Sequence, residues 1–234
     1  MSRRTWLREL PHLAAIGAMF IYAIVRWPNA PDRFPAHWGF SGDIDRYGGK
    51  FEGLLLVPII AVGVYLLLLA IPRIDPSRDN YRRFATAYSM IRLVILAVLG
   101  FVYVVIQVSA AGRDVDVNLA IGLAMGGMIF VLGSVMGRIK PNYMVGVRTP
   151  WTLASQASWA KTHRITGWLF MASGAATIIV SLIWTTAGVI VLLASVLTAT
   201  VVAVAYSYWA YSVDVERVPV MGAPRSAGEG KGRP

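Results

Sequence analysis

The sequence predicts an all-α fold: a polytopic membrane bundle of six transmembrane helices with both termini inside. Three observations carry that prediction. Of 234 residues, 56% are hydrophobic and only 15% charged, with a mean hydropathy of +0.59, whereas a soluble domain carries about 25% charge. The apolar residues gather into runs of about 20, the length that crosses a hydrocarbon core. The basic residues fall on alternate loops, the pattern by which membrane proteins set their orientation.

The first span is 11–27. It ends in Arg26, Trp27, Pro28 and Asn29 with no small-residue cleavage site, so it reads as a retained span and not a signal peptide. The second is 54–71, where Pro58 marks an expected kink. The third lies within 84–111 and the fourth is 117–137. From 165 to 213 no residue is charged, a run of 49 residues that suits two spans with a turn at 184–188. With the N-terminus inside, 16 of the 22 Lys and Arg residues fall on inner segments and 5 on outer ones, Arg92 being the remaining one. Tyr206, Tyr208, Trp209 and Tyr211 are placed at the inner end of the last span, where an aromatic belt is expected. The chain divides into a two-span module, 1–83, a four-span module, 84–217, and a Gly-, Pro- and Arg-rich tail, 218–234, expected to be disordered.

Composition also excludes chemistry. Without cysteine there is no disulfide, thiolate metal site or Cys nucleophile. The net charge of +10 belongs to the inner loops, so direct nucleic-acid binding is not expected. In span four, Gly122 and Gly126, and Gly133 and Gly137, stand four residues apart, a spacing that lets helix backbones approach closely. A seam inside one bundle is the favoured reading, with a homodimer seam as the alternative. Arg92 is read as marking the inner membrane boundary and snorkelling to the headgroups, since no acidic residue falls within a predicted span to pair with it.

Two loops are candidate functional segments. The outer loop, 28–50, is rich in Pro and Gly and should be tightly turned. Its contact residues are Phe34, His37, Trp38, Asp43, Asp45 and Arg46, which offer apolar and polar groups together. His37 with Asp43 and Asp45 lacks a metal-ligand spacing, so a structural histidine bonded across the loop is preferred, and no metal or other cofactor is expected. The inner loop, 138–164, is longer than a helix connection requires. Ser155 is a predicted N-cap of a helix running into span five, which places Trp159 at headgroup level. Arg148, Lys161 and Arg164 suit either phosphate and carboxylate groups or the anionic inner leaflet.

The inner loop resembles the signature of the SdpI family of bacterial membrane proteins. The match comprises Asn142, then Gly146, Val147, Arg148, Thr149, Pro150, Trp151, Thr152 and Leu153, then Trp159, Lys161, Thr162, His163, Arg164 and Gly167. The outer loop looks like a domain of unknown function that often precedes that signature, through Pro31, Asp32, Arg33, Pro35, His37, Trp38, Gly42, Asp45, Arg46 and Tyr47. The resemblance implies a multi-pass protein of a bacterial cell membrane. It also implies an immunity role against a secreted killing peptide and recruitment of a cytoplasmic transcriptional repressor, and it implies no catalytic residue.

A binding and signalling protein of immunity type is therefore the leading expectation. The alternative is a small transporter or channel, which would want polar residues along the spans; Gln107, Pro58 and scattered Ser and Thr are what the chain offers. A membrane enzyme ranks last, because the carboxylates and histidine of the outer loop show no catalytic arrangement. The lipid bilayer, an extracellular peptide toxin, a cytoplasmic repressor and a second copy of the chain are the expected partners.

Overall fold

The computed structural model describes residues 3–217, so the expected disordered tail, 218–234, lies outside the described residues. Among the described residues, six helices are long and apolar enough to cross a membrane. They are α1 (Arg3–Arg26), α2 (Val57–Ile74), α3 (Ala85–Ala110), α4 (Val117–Met136), α6 (Gln156–Ile183) and α7 (Thr185–Ser212), with a one-turn helix, α5 (Pro150–Leu153), in the inner loop. Large apolar side chains such as Ile24, Leu66, Ile179, Leu193 and Leu197 face outward, as expected where lipid is the solvent. The protein is a multi-pass membrane protein built as a helical bundle.

Helix ends follow from local chemistry. Asp116 caps α4 by accepting from Leu119 N at 2.9 Å, and Ser155 caps α6 by accepting from Ser158 N at 2.8 Å, as its sequence position predicts. The expected turn at 184–188 shrinks to one extended residue, Trp184, which ends α6 and starts α7.

Pro58, the expected kink, marks an irregular stretch of the second span. It stands at the start of α2, directly after a turn of π-helix, Glu52–Leu56. The wide turn and the missing proline N–H leave carbonyls without helical donors. Side chains of α3 supply them: Tyr103 Oη donates to Leu54 O at 3.1 Å and Gln107 Nε2 to Gly53 O at 2.7 Å. Gln107, a polar residue in a span, thus repairs a broken helix.

The glycine seam of α4 closes on α6. A Cβ on Gly133 would lie 2.7 Å from Gly167 O, and one on Gly126 would lie 3.0 Å from Gly174 O. Gly167 and Gly174 return the contact against Gly133 O and Gly126 O. Small residues on both helices therefore bring two backbones together within one chain.

Arg92 corrects an expectation. It does not snorkel: the side chain is 5% exposed and forms an ion pair with Glu9 of α1. Glu9 was missed as a partner because it precedes the predicted first span by two residues, whereas α1 continues through it. Tyr65 Oη also donates to Glu9, at 2.9 Å, and the Tyr65 and Tyr88 rings lie beside the guanidinium. In the expected inner aromatic belt, Tyr208 and Trp209 face outward but Tyr211 is buried.

Candidate functional site

The outer loop folds as a two-stranded antiparallel hairpin, β1 (Phe34–Trp38) and β2 (Ile44–Gly48), with register shifts around His37. Its reversal needs Gly42 at φ +93°, a conformation that L side chains rarely adopt. Asn118 Nδ2 donates to Phe40 O at 3.2 Å and so ties the tip to the bundle. Phe34 is not a contact residue. It is 1% exposed, seated where Gly53 lacks a side chain, in a cluster with Ala23, Ala30, Leu54 and Ile106. Arg46 reaches Glu52 with both guanidinium nitrogens, at 2.5 and 3.1 Å, a fork-to-fork pair that fixes the hairpin to the head of α2. That hydrogen-bonded pairing holds the Glu52 carboxylate as the guanidinium's partner and raises the Arg46 pKa.

The polar residues His37, Asp43 and Asp45 of the hairpin are exposed. His37 Nδ1 and Asp45 Oδ1 are 2.6 Å apart across the strands and both exposed, the cross-loop bond expected of a structural histidine. Asp43 accepts from Ser41 Oγ at 2.7 Å, and Trp38 is half-buried. Among the described residues no three His, Cys, Asp or Glu side chains cluster as a metal site. Phe40, which sequence reasoning did not single out, is 65% exposed at the tip. Its signal was a large apolar residue between Gly39 and Gly42, where a turn must face solvent or a partner.

At the opposite end of the bundle the inner loop is organised by Asn142, buried at 1% exposure. Its Oδ1 accepts from Met144 N and Val145 N, at 2.9 and 2.6 Å, and its Nδ2 donates to Lys140 O and Val145 O, at 2.9 and 3.0 Å. Tyr81 Oη bridges Asn142 to Asp75, the residue that ends α2. Asp75, itself buried, also accepts from Tyr143 N at 3.0 Å. The signature loop is thereby locked to the α2–α3 connection.

The first two turns of α6 form its platform. Trp159, expected at headgroup level, does not face outward: it is 2% exposed and donates from Nε1 to Ile139 O at 2.9 Å. Its ring stacks on His163 with centroids 4.1 Å apart. His163 Nδ1 lies 2.9 Å from Trp159 O, so it carries the proton, which leaves Nε2 to accept from Val147 N at 3.2 Å. Gly146, at φ +106°, gives the ring its room, since a Cβ there would collide with His163 Nε2. Thr149 and Thr152 form a capping box around Pro150 at the start of α5. Thr149 Oγ1 meets Ser207 Oγ of α7 at 3.0 Å, and Trp151 packs edge-on against Tyr208. Ser155 Oγ donates to Asp214 Oδ2 at 2.5 Å and holds that carboxyl below the usual carboxylate range.

Thus Asn142, Trp159 and His163 build the loop from inside, while Gly146, Arg148, Pro150 and Lys161 are exposed and Thr149 and Trp151 half-buried. Arg148 Nη1 donates to Tyr143 O at 2.6 Å and staples the loop across its outer face.

Residues 138–207 match the SdpI/YfhL protein family, and residues 14–62 match a domain of unknown function, DUF1648. The chain is 23% identical to the immunity protein SdpI of Bacillus subtilis over 193 residues, 82% of this chain and 90% of that protein. It is 28% identical to an uncharacterized protein of Archaeoglobus fulgidus over 58 residues, 25% of this chain and 32% of that one. No solved structure matches.

Proposed function

We propose that this chain, which matches the SdpI/YfhL protein family over residues 138–207 and is similar to the immunity protein SdpI along most of its length, is an SdpI-type immunity protein of a bacterial cell membrane that senses an extracellular peptide toxin and signals to a cytoplasmic partner. The hairpin is the sensing surface, through Trp38, Phe40, His37 and Asp45. The inner loop is the reporting surface, through Arg148, Trp151 and Lys161, where a transcriptional repressor docks. The function is one of binding, not catalysis.

One observation carries this reading. A single helix, α2, is clamped at both ends to the two loops: Glu52, at its head, grips Arg46 of the hairpin, and Asp75, at its foot, grips Tyr143 of the inner loop. Its 18 residues span about 27 Å. A ligand shifts a distant surface only by binding two states of the bundle unequally, and a helix held at both ends moves both loops together.

The test separates activity from abundance. Trp38→Ala combined with Asp45→Ala, and separately Arg148→Ala, should leave membrane levels normal in immunoblots and abolish survival under a peptide challenge. Full protection in both variants, or losses that merely follow low protein levels, would reduce the loops to scaffold.

A further inference from the structure

Between α1, the foot of α2 and the start of α3 lies a cleft of about 950 Å³, at the same end of the bundle as the inner loop. Its walls are of two kinds. Leu13, Leu69, Pro72 and Ala85 are apolar. Arg73, Arg78 and Arg82 stand exposed at its rim, and Arg92 forms its floor. The acidic groups facing it are Glu9, committed to Arg92 and Tyr65, and Asp79. Among the described residues no carboxylate lies within 4.0 Å of the three rim arginines. Arg92 Nε is buried and has no hydrogen-bond partner, so a charged group at the floor is left only partly satisfied.

We propose that this cleft binds one phospholipid with an anionic headgroup, its phosphate at Arg78 and Arg82 and an acyl chain along Leu13, Leu69 and Ala85. The combination of walls selects this occupant. A free inorganic anion would use the arginines and leave the apolar wall wet. A zwitterionic lipid would fill the apolar wall but bring a cation to the arginine rim. Basic pockets between helices on the cytoplasmic side have the chemistry to hold anionic headgroups. The expected orientation puts the rim at that leaflet. Its rim arginines and apolar wall are not among the residues assigned above to sensing and reporting, although Tyr81 in its lining also holds Asn142 of the inner loop.

Native mass spectrometry of the full chain, released from nanodiscs of phosphatidylglycerol or of phosphatidylcholine, tests the assignment. The expected result is a one-to-one phosphatidylglycerol adduct with no phosphatidylcholine counterpart. Arg78→Gln with Arg82→Gln should weaken it on the order of tenfold or more, since each cation near the surface contributes separately. Ala85→Trp fills the apolar part, leaves every cation in place, and should displace the lipid as well. Equal adducts with the two lipids would overturn the proposal. So would an undiminished adduct in both variants, or protection from thermal unfolding by inorganic phosphate alone that matches that by the lipid.

Discussion

Two glycines six residues apart on α4 should respond oppositely to one methyl group. At Gly133 an added Cβ would lie 2.7 Å from Gly167 O and from Met171 N, and 2.9 Å from Phe170 Cβ. Two of those neighbours are backbone, so α6 itself must move. Overpacking of this kind costs about 1–3 kcal/mol, and rigid neighbours place this site toward the upper end. Exchanging Gly for Ala in a helix returns about 1 kcal/mol. Gly133→Ala should therefore lose about 2 kcal/mol net. At Gly127 nothing lies within 4 Å of the added atom, so Gly127→Ala should gain up to about 1 kcal/mol. The assay is thermal unfolding of both variants beside wild type in one detergent, where the midpoints should fall on opposite sides of wild type. Equal midpoints, or Gly127→Ala the less stable of the two, would refute the close α4–α6 seam.

Glu9→Ala should destabilise the bundle by about 3–5 kcal/mol by leaving Arg92 buried without its ion-pair partner. Glu9→Leu with Arg92→Leu should recover most of that in a double-mutant cycle of unfolding midpoints, and no recovery would show that the pair is not coupled. Because the folded Asp214 carboxyl titrates below its ordinary range, its contribution to stability is present above the unfolded pKa and lost as pH falls through the folded one. Ser155→Ala should move the Asp214 midpoint upward in an NMR titration, and an unmoved midpoint would assign the shift to other neighbours. Reporter fusions at Gly42 and Ser155 should give opposite sidedness, and a shared side would sink the proposed orientation.

The two loops show how far local signals reach. That the outer loop is tightly turned was legible from its Pro and Gly residues, though its two strands were not, and the Ser155 cap was legible because an N-cap acts on its own helix within three residues. What failed were inferences about surroundings. Trp159 looks like an interfacial tryptophan by type and by distance along α6, yet its ring is enclosed by Ile139 and His163. Phe34 looks like a hairpin contact, yet it fills the space that Gly53 leaves.

What the sequence alone determined was the solvent and the partition of the chain. Hydropathy, length and charge are sums over neighbouring residues, so six spans, their order and the two elaborated loops needed no knowledge of packing. What only tertiary structure decided were the pairings between residues far apart in the chain. Glu9 meets Arg92, Asp75 meets Tyr143, and the α4 glycines meet those of α6. The physical reason is that each buried polar or close-packed group is satisfied by whichever helix lies beside it. Which helix that is depends on how the spans associate, a choice their separate hydropathies leave open.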